Sequence, residues 1–263
     1  MFNNLTPMVK NLLILNIGIF LVQWVLNVDF PEILGLRYIF SDYFEPYQLF
    51  THIFIHAGGW HLFSNMFALF IFGPLLERVW GSSKFLVFFL ITGLGASMLY
   101  SAINFYEVRK VEVATERYIE SPNPDQFRSL VTEHASYAKR QLAEFIEGYE
   151  NNPENPTNIA TSRSYARQIY EGKANIPMVG ASGAVFGILM AFGMLFPNME
   201  LMLLFPPIPI KAKYLVMFYG LYTIYMGIER VPGDNVAHFA HLGGMLFAFI
   251  LVKFWKGNGN QYY

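Results

Sequence analysis

The chain has no cysteine among its 263 residues and little charge, with 14% Asp, Glu, Lys or Arg, where soluble domains carry about a quarter. Without cysteine there are no disulfides and no thiolate-held metals, though the compartment stays open. The formal net charge is -1, so nothing marks nucleic acid as a partner. A cleavable leader is also missing by pattern. Only Lys10 precedes the first apolar run, and no small-residue A-x-A motif follows it, so the run reads as a retained anchor. No internal repeat or low-complexity tract is evident. What is abundant is apolar: 54% hydrophobic residues, with 17% aromatic. That balance points to a membrane before any motif is read.

Six apolar segments are expected to span: residues 11–28, 62–76, 85–103, 181–196, 214–228 and 237–254. A span needs roughly 20 apolar residues. The second, fourth and sixth are short and open on polar residues, which suggests helices that start inside a protein-lined or water-filled cavity. Lys and Arg in the connections set the orientation. With the N-terminus inside, Arg78, Lys84, Lys211, Lys213, Lys253 and Lys256 fall on the cytoplasmic side. The 28–48 connection falls outside, with Asp29, Glu32, Asp42 and Glu45 against Arg37 alone. Both termini are thus expected to be cytoplasmic. The small six-span design and the lack of a transit peptide suggest a bacterial plasma membrane.

One stretch breaks this composition. Residues 105–176 are polar and hold over half of the charges. They lie between the third and fourth spans, on the extracytoplasmic side. Phe127, Leu130, Val131, Leu142, Phe145, Ile146 and Tyr149 recur at helical spacing and predict a helix over 125–150. "SPNPD" is a start signal and "NNPENP" a break. A second, shorter helix is expected over 160–171; the alternative is a partly disordered linker. The expected division is spans 1–3 in residues 1–104, the insertion in 105–176, spans 4–6 in 177–256 and a short tail in 257–263.

Ionisable groups within spans are costly and mark function by default. Five of the six histidines, His52, His56, His61, His238 and His241, lie at or within apolar segments. In "MVGASGAVFGILMAF", Ser182 sits between Gly180 and Gly183 at the external end of the fourth span. Gly183 and Gly187 form a G-x-x-x-G pair suited to close helix approach, and Ala240, Gly244 and Ala248 offer a matching face on the sixth span. His241 lies beside that face. An imidazole near a serine can take its proton and make it a nucleophile. Either residue can instead simply pack or bridge helices. His61 and Asn65 stand one turn apart at the head of the second span, and both can donate to a developing oxyanion, with the Ser182 amide as a third donor. A buried polar cluster that fixes packing is the alternative there. His52–His56 and His238–His241 also have a spacing that suits a metal or haem, but no carboxylate or thiolate stands nearby.

Taken together, "GASG", "AHLGG" and "HIFIHAGGWHLFSN" resemble the rhomboid intramembrane serine proteases. The resemblance covers the six spans and implies an all-α, six-transmembrane-helix bundle around an outward-open cavity. It implies Ser182 as nucleophile, His241 as base and His61, Asn65 and the Ser182 amide as oxyanion hole. His238 fits the base motif less well, and His52 and His56 suit a structural role. The implied partners are transmembrane-helix substrates and membrane lipid, with no metal or other cofactor; the oligomeric state stays open. A pseudoprotease that binds client helices without cutting them is the alternative function. Two features depart from the family pattern. Tyr47-Gln48 stands where many relatives carry Trp-Arg, which leaves the anchoring of the first external loop open. Phe186 stands where some carry a tyrosine that stacks on the histidine. The insertion is far longer than in the most compact relatives and is placed to shape or cover the opening. Purified protein is expected to show no visible absorption band and no stoichiometric metal. A haem spectrum or one bound metal per chain would instead favour histidine ligation.

Overall fold

A computed structural model describes residues 5–202, 207–229 and 236–257. The bundle is built from α1 (Pro7–Leu26), α4 (Gly59–Trp80), α5 (Ser82–Glu120), α9 (Ser182–Leu195), α10 (Ala212–Glu229) and α11 (His238–Gly257). Two short helices, α2 (Phe30–Leu34) and α3 (Gln48–Thr51), lie in the connection between α1 and α4. The insertion supplies α6 (Pro124–His134), α7 (Ala143–Asn151) and α8 (Pro156–Ala174). Strands β1 (Glu200–Met202) and β2 (Pro209–Lys211) pair antiparallel between α9 and α10. The chain is therefore an all-α membrane bundle. Among the described residues, α1, α4, α5 and α11 are each long and apolar enough to cross a bilayer. Expected spans four and five correspond to α9, with 14 residues, and α10, with 18.

The core lies where α4, α5, α9 and α11 meet, around Leu69, Phe85, Phe88, Ile188 and Ala248. Because lipid offers no hydrophobic gain over protein, close packing of small residues holds such helices together. That packing is visible at α5. A Cβ on Gly183 would lie 2.3 Å from the Ala96 methyl, and one on Gly187 2.7 Å from Thr92. The G-x-x-x-G pair thus faces α5 as well as α11, a correction to its expected pairing with the sixth span. The sixth span approaches through its own glycine: a Cβ on Gly244 would stand 1.9 Å from the Gly183 carbonyl oxygen. No described residue of α10 enters this core. Only Ala212, Val216, Thr223 and Gly227 of α10 are buried.

At the opposite end, Glu77 of α4 is 2% exposed and serves the start of α1. Its carboxylate accepts the Met8 and Val9 N–H groups at 2.9 and 2.8 Å, and the hydroxyls of Thr6 and Ser82. A carboxylate there satisfies first-turn amides and complements the helix dipole.

The insertion differs from expectation in three places. The helix of the third span does not stop near residue 103; α5 continues for 39 residues, about 58 Å at 1.5 Å per residue. Its upper half becomes a wall of the insertion. The expected helix over 125–150 is two helices, broken across 135–142 by a turn of 3-10 helix at Ser136–Ala138. In one straight helix Phe127 and Phe145 would stand about 27 Å apart; the break brings their rings to 5.7 Å and Phe127 to 6.3 Å from Tyr149. An apolar stripe that would have faced water is folded onto itself. The third difference is α8, longer at both ends than the expected 160–171. Asn123 and Asn155 accept the Gln126 and Thr157 amides, each before a proline in the first turn, so each Asn-Pro pair starts a helix.

Glu77→Ala leaves two first-turn amides, that of Val9 buried, and two hydroxyls without their acceptor, at about 1–3 kcal/mol for such losses. The variant should unfold at lower temperature in detergent, and an unchanged melting curve would argue against the capping role.

Candidate active site

Ser182 opens α9, a helix shorter than the bilayer core is thick. Fourteen residues rise about 21 Å, less than the roughly 30 Å hydrocarbon core. No side chain caps the helix start, where Ala181 is the N-cap. The first-turn amides, that of Ser182 among them, are donors of the kind that favour negative charge. Ser182 is half-buried and lines a small cavity with His52, Gly180, Ala237 and Ala240.

His241 reaches the same turn from α11. Its ring stacks on Phe186, one turn past Ser182, with centroids 4.0 Å apart and planes at 6°. Gly183, next to the serine, touches Gly244, one turn past the histidine. Ser182 and His241 therefore occupy facing turns of two helices in backbone contact. Phe186 keeps the stack without a hydroxyl, and Tyr219 of α10 closes on its edge at 6.1 Å. His238 lies one turn outward, its ring 6.1 Å from that of His241 and perpendicular to it.

The third side of the site is the head of α4. Gly180 has φ +121°, a conformation that L side chains rarely adopt. A Cβ there would stand 2.6 Å from both Cε1 and Nε2 of His61 and 3.8 Å from Nδ2 of Asn65. Both side chains thus pack on the turn that leads into Ser182. Asn65 is 5% exposed, and its Nδ2 donates to no protein group among the described residues. A buried amide without an acceptor is unusual and calls for one. The arrangement combines a hydroxyl, an imidazole and convergent donors, the set that acyl transfer requires.

His52 and His56 sit behind this set, before α4 begins. His52 shares a 2.8 Å hydrogen bond between Nδ1 and the Gln48 carbonyl, and its own carbonyl accepts the Gly180 N–H at 2.9 Å. His56 packs edge-on against His61 at 5.1 Å. Burial pushes His52 down to about 4 and, with His61 adding to it, His56 down to about 3, so both rings are neutral. Among the described residues no group of three or more His, Asp or Glu could hold a metal ion.

The open question of how the α1–α4 connection is anchored also has an answer here. Gln48 is 1% exposed. Its amide donates to the Tyr43 and Ile33 carbonyls and accepts from the Arg37 N–H, so a carboxamide ties the connection whose anchoring the Tyr47-Gln48 pair had left open. Arg37 is the residue that sequence reasoning passed over. Its side chain is 2% exposed and bonds the Asn175 carbonyl, 138 positions away. A lone cation in an acidic connection was the available signal.

Gly180→Ala forces a strained φ, at about 1–3 kcal/mol, and pushes a methyl into the His61 ring. The variant should unfold at lower temperature in detergent than wild type, and equal stability would contradict the described turn.

The Rhomboid domain profile matches residues 43–109 and 157–256, leaving out most of the helical insertion. Rhomboid-like protein 12, mitochondrial, of Arabidopsis thaliana is 26% identical over 92% of this chain and 56% of its own length. Rhomboid-like protein 11, chloroplastic, from the same plant is 33% identical over 34% of this chain and 30% of its own length. Rhomboid protease AarA of Providencia stuartii is 34% identical over 24% of this chain and 22% of its own length. The chain thus spans less than two thirds of each of these relatives, and they come from plant organelles and bacteria alike. With the family profile covering more than half of its residues, and with the short serine-bearing helix packed on the histidine-bearing one, the chain belongs to the rhomboid family.

Proposed function

We propose that the protein is an intramembrane serine endopeptidase, cutting transmembrane-helix substrates near the outer membrane face with a Ser182–His241 dyad. The observation that carries this reading is the meeting of three elements at one buried turn: Ser182 on α9, His241 stacked on Phe186, and His61 with Asn65 against Gly180. The Ser182 hydroxyl attacks a substrate carbonyl and its proton passes to the His241 imidazole. The oxyanion that forms is held by His61, the Asn65 amide and the Ser182 N–H. Collapse releases the amine, protonated by His241, and leaves an acyl-serine. A water that gives its proton to His241 then frees the enzyme. No cofactor enters these steps.

Peptide bonds in a helix are shielded, so the substrate unwinds before it reacts. The thin packing of α10 supports entry from the side of the bundle there. Close-packed helices around the serine favour small residues at the cut. The lysine and arginine distribution supports termini on the cytoplasmic side, with the insertion and the site facing the other.

A fluorophosphonate probe tests this directly on the detergent-solubilised protein. Wild type should label, while Ser182→Ala and His241→Ala should not. Asn65→Ala should slow cleavage of a transmembrane substrate by roughly 10²–10³, the range for losing one oxyanion donor. Folded wild type that neither labels nor cleaves would move the client-binding pseudoprotease to the front.

A further inference from the structure

Residues 175–181 link the insertion to Ser182, and the first external loop holds them at three points. Arg37 donates to the Asn175 carbonyl, and Ser41 donates to the Asn175 side-chain oxygen at 2.6 Å. Leu36 and Met178 exchange both backbone hydrogen bonds, at 2.9 and 2.8 Å. The Gly180 N–H donates to the His52 carbonyl at 2.9 Å. No more than two consecutive residues separate one pin from the next, and Pro177 stiffens the widest gap.

The first pin is also where the insertion closes. Lys173, in the last turn of α8, pairs with Glu107 of α5 at 3.1 Å. Tyr38, next to Arg37, is buried among Val108, Tyr170 and Ala174. Arg37 itself donates to the Glu32 carbonyl at 2.9 Å and pairs with the Glu32 carboxylate. Both Nη atoms have acceptors while Nε has none among the described residues, so these acceptors hold a guanidinium that is costly to leave unsatisfied at this depth.

We infer that the joint of Arg37 and Ser41 with Asn175 is a positioning element for catalysis. It sets the height of the 175–181 connector, and so the seat of the Gly180–Ser182 turn against His61 and Asn65. Arg37 is its positioning residue. The insertion then acts on the reaction through the backbone by which it leaves, not by covering the opening. This rests on the proteolytic reading of Ser182 and His241, because only that reading gives the seat of Ser182 a rate to control. Misplacement of reacting groups by an ångström costs up to ~100-fold in rate, so the joint can govern turnover without touching substrate.

The test compares wild type with Arg37→Gln, Arg37→Lys and Ser41→Ala in detergent, each shown folded by its melting curve. Four quantities are read: kcat and KM on a transmembrane substrate, the fluorophosphonate labelling rate, and amide exchange of residues 176–182. Arg37→Gln is expected to lower kcat and labelling roughly 10- to 100-fold, with KM within about twofold and faster exchange confined to the connector. Arg37→Lys, which keeps the charge but loses the two-carbonyl fork, should not rescue; Ser41→Ala should fall between. Wild-type kcat and exchange in folded Arg37→Gln would overturn the proposal, as would a loss confined to KM. Wild type that fails to label or cleave would sink the protease reading instead, and connector exchange in Arg37→Gln would still decide whether the joint holds the turn.

Discussion

The contact on which the site depends is the meeting of two backbones with no side chain between them. Gly244 of α11 faces the carbonyl of Gly183 so closely that a single methyl would have no room. In a membrane, where apolar side chains gain little by leaving lipid for one another, such close approach is what makes helix association favourable. It also fixes a distance. Ser182 stands beside this contact and His241 one turn from it, on their separate helices, and the Phe186–His241 stack sets the rotation of the ring. Packing and chemistry here share the same few ångströms, so neither can change without the other.

Much of this was legible because membranes simplify sequence. Apolar runs marked the bundle helices, and polar residues inside them marked the candidate site. The serine, the two facing glycines and the histidine could be read from local spacing, since each lies within a turn of its partner contact. What could not be read depends on tertiary distance. Gly187 has the spacing of a helix-pair motif, but only the packed bundle shows that it turns to Thr92 on α5. The stretch 125–150 has an unbroken helical period, because residues 131 and 142 fall on the same side whether or not the chain bends. The bend is decided by the rings of Phe127, Phe145 and Tyr149 finding one another. Arg37 and Asn175 are too far apart in the chain for any pattern to join them.

The buried charges divide the labour between the two ends of the bundle. Glu77 organises the start of α1 and the α4–α5 turn, with backbone amides and hydroxyls as its partners. Arg37 does the same at the other end, with carbonyls. Each is a buried ion that bonds two peptide groups, which places a segment of backbone where no regular structure would hold it. Gln48 shows that a neutral amide can serve the same end.

The unbroken run of α5 from Ser82 to Glu120 ties the insertion to the bundle in angle as well as in height. Each residue added or removed near position 105 would turn everything beyond it by about 100° and shift it by ~1.5 Å. Val108 would swing away from Tyr38 and Glu107 from Lys173. Length change is therefore nearly forbidden there: even steps of about seven or eleven residues, which restore the phase, would still shift the far part by ~10 Å or more along the axis. It is unconstrained by phase at the far end, between α6 and α7. A lineage that enlarges or trims this insertion is thus channelled to do so from its tip, and the part next to the membrane keeps its length as strictly as a gear keeps its teeth.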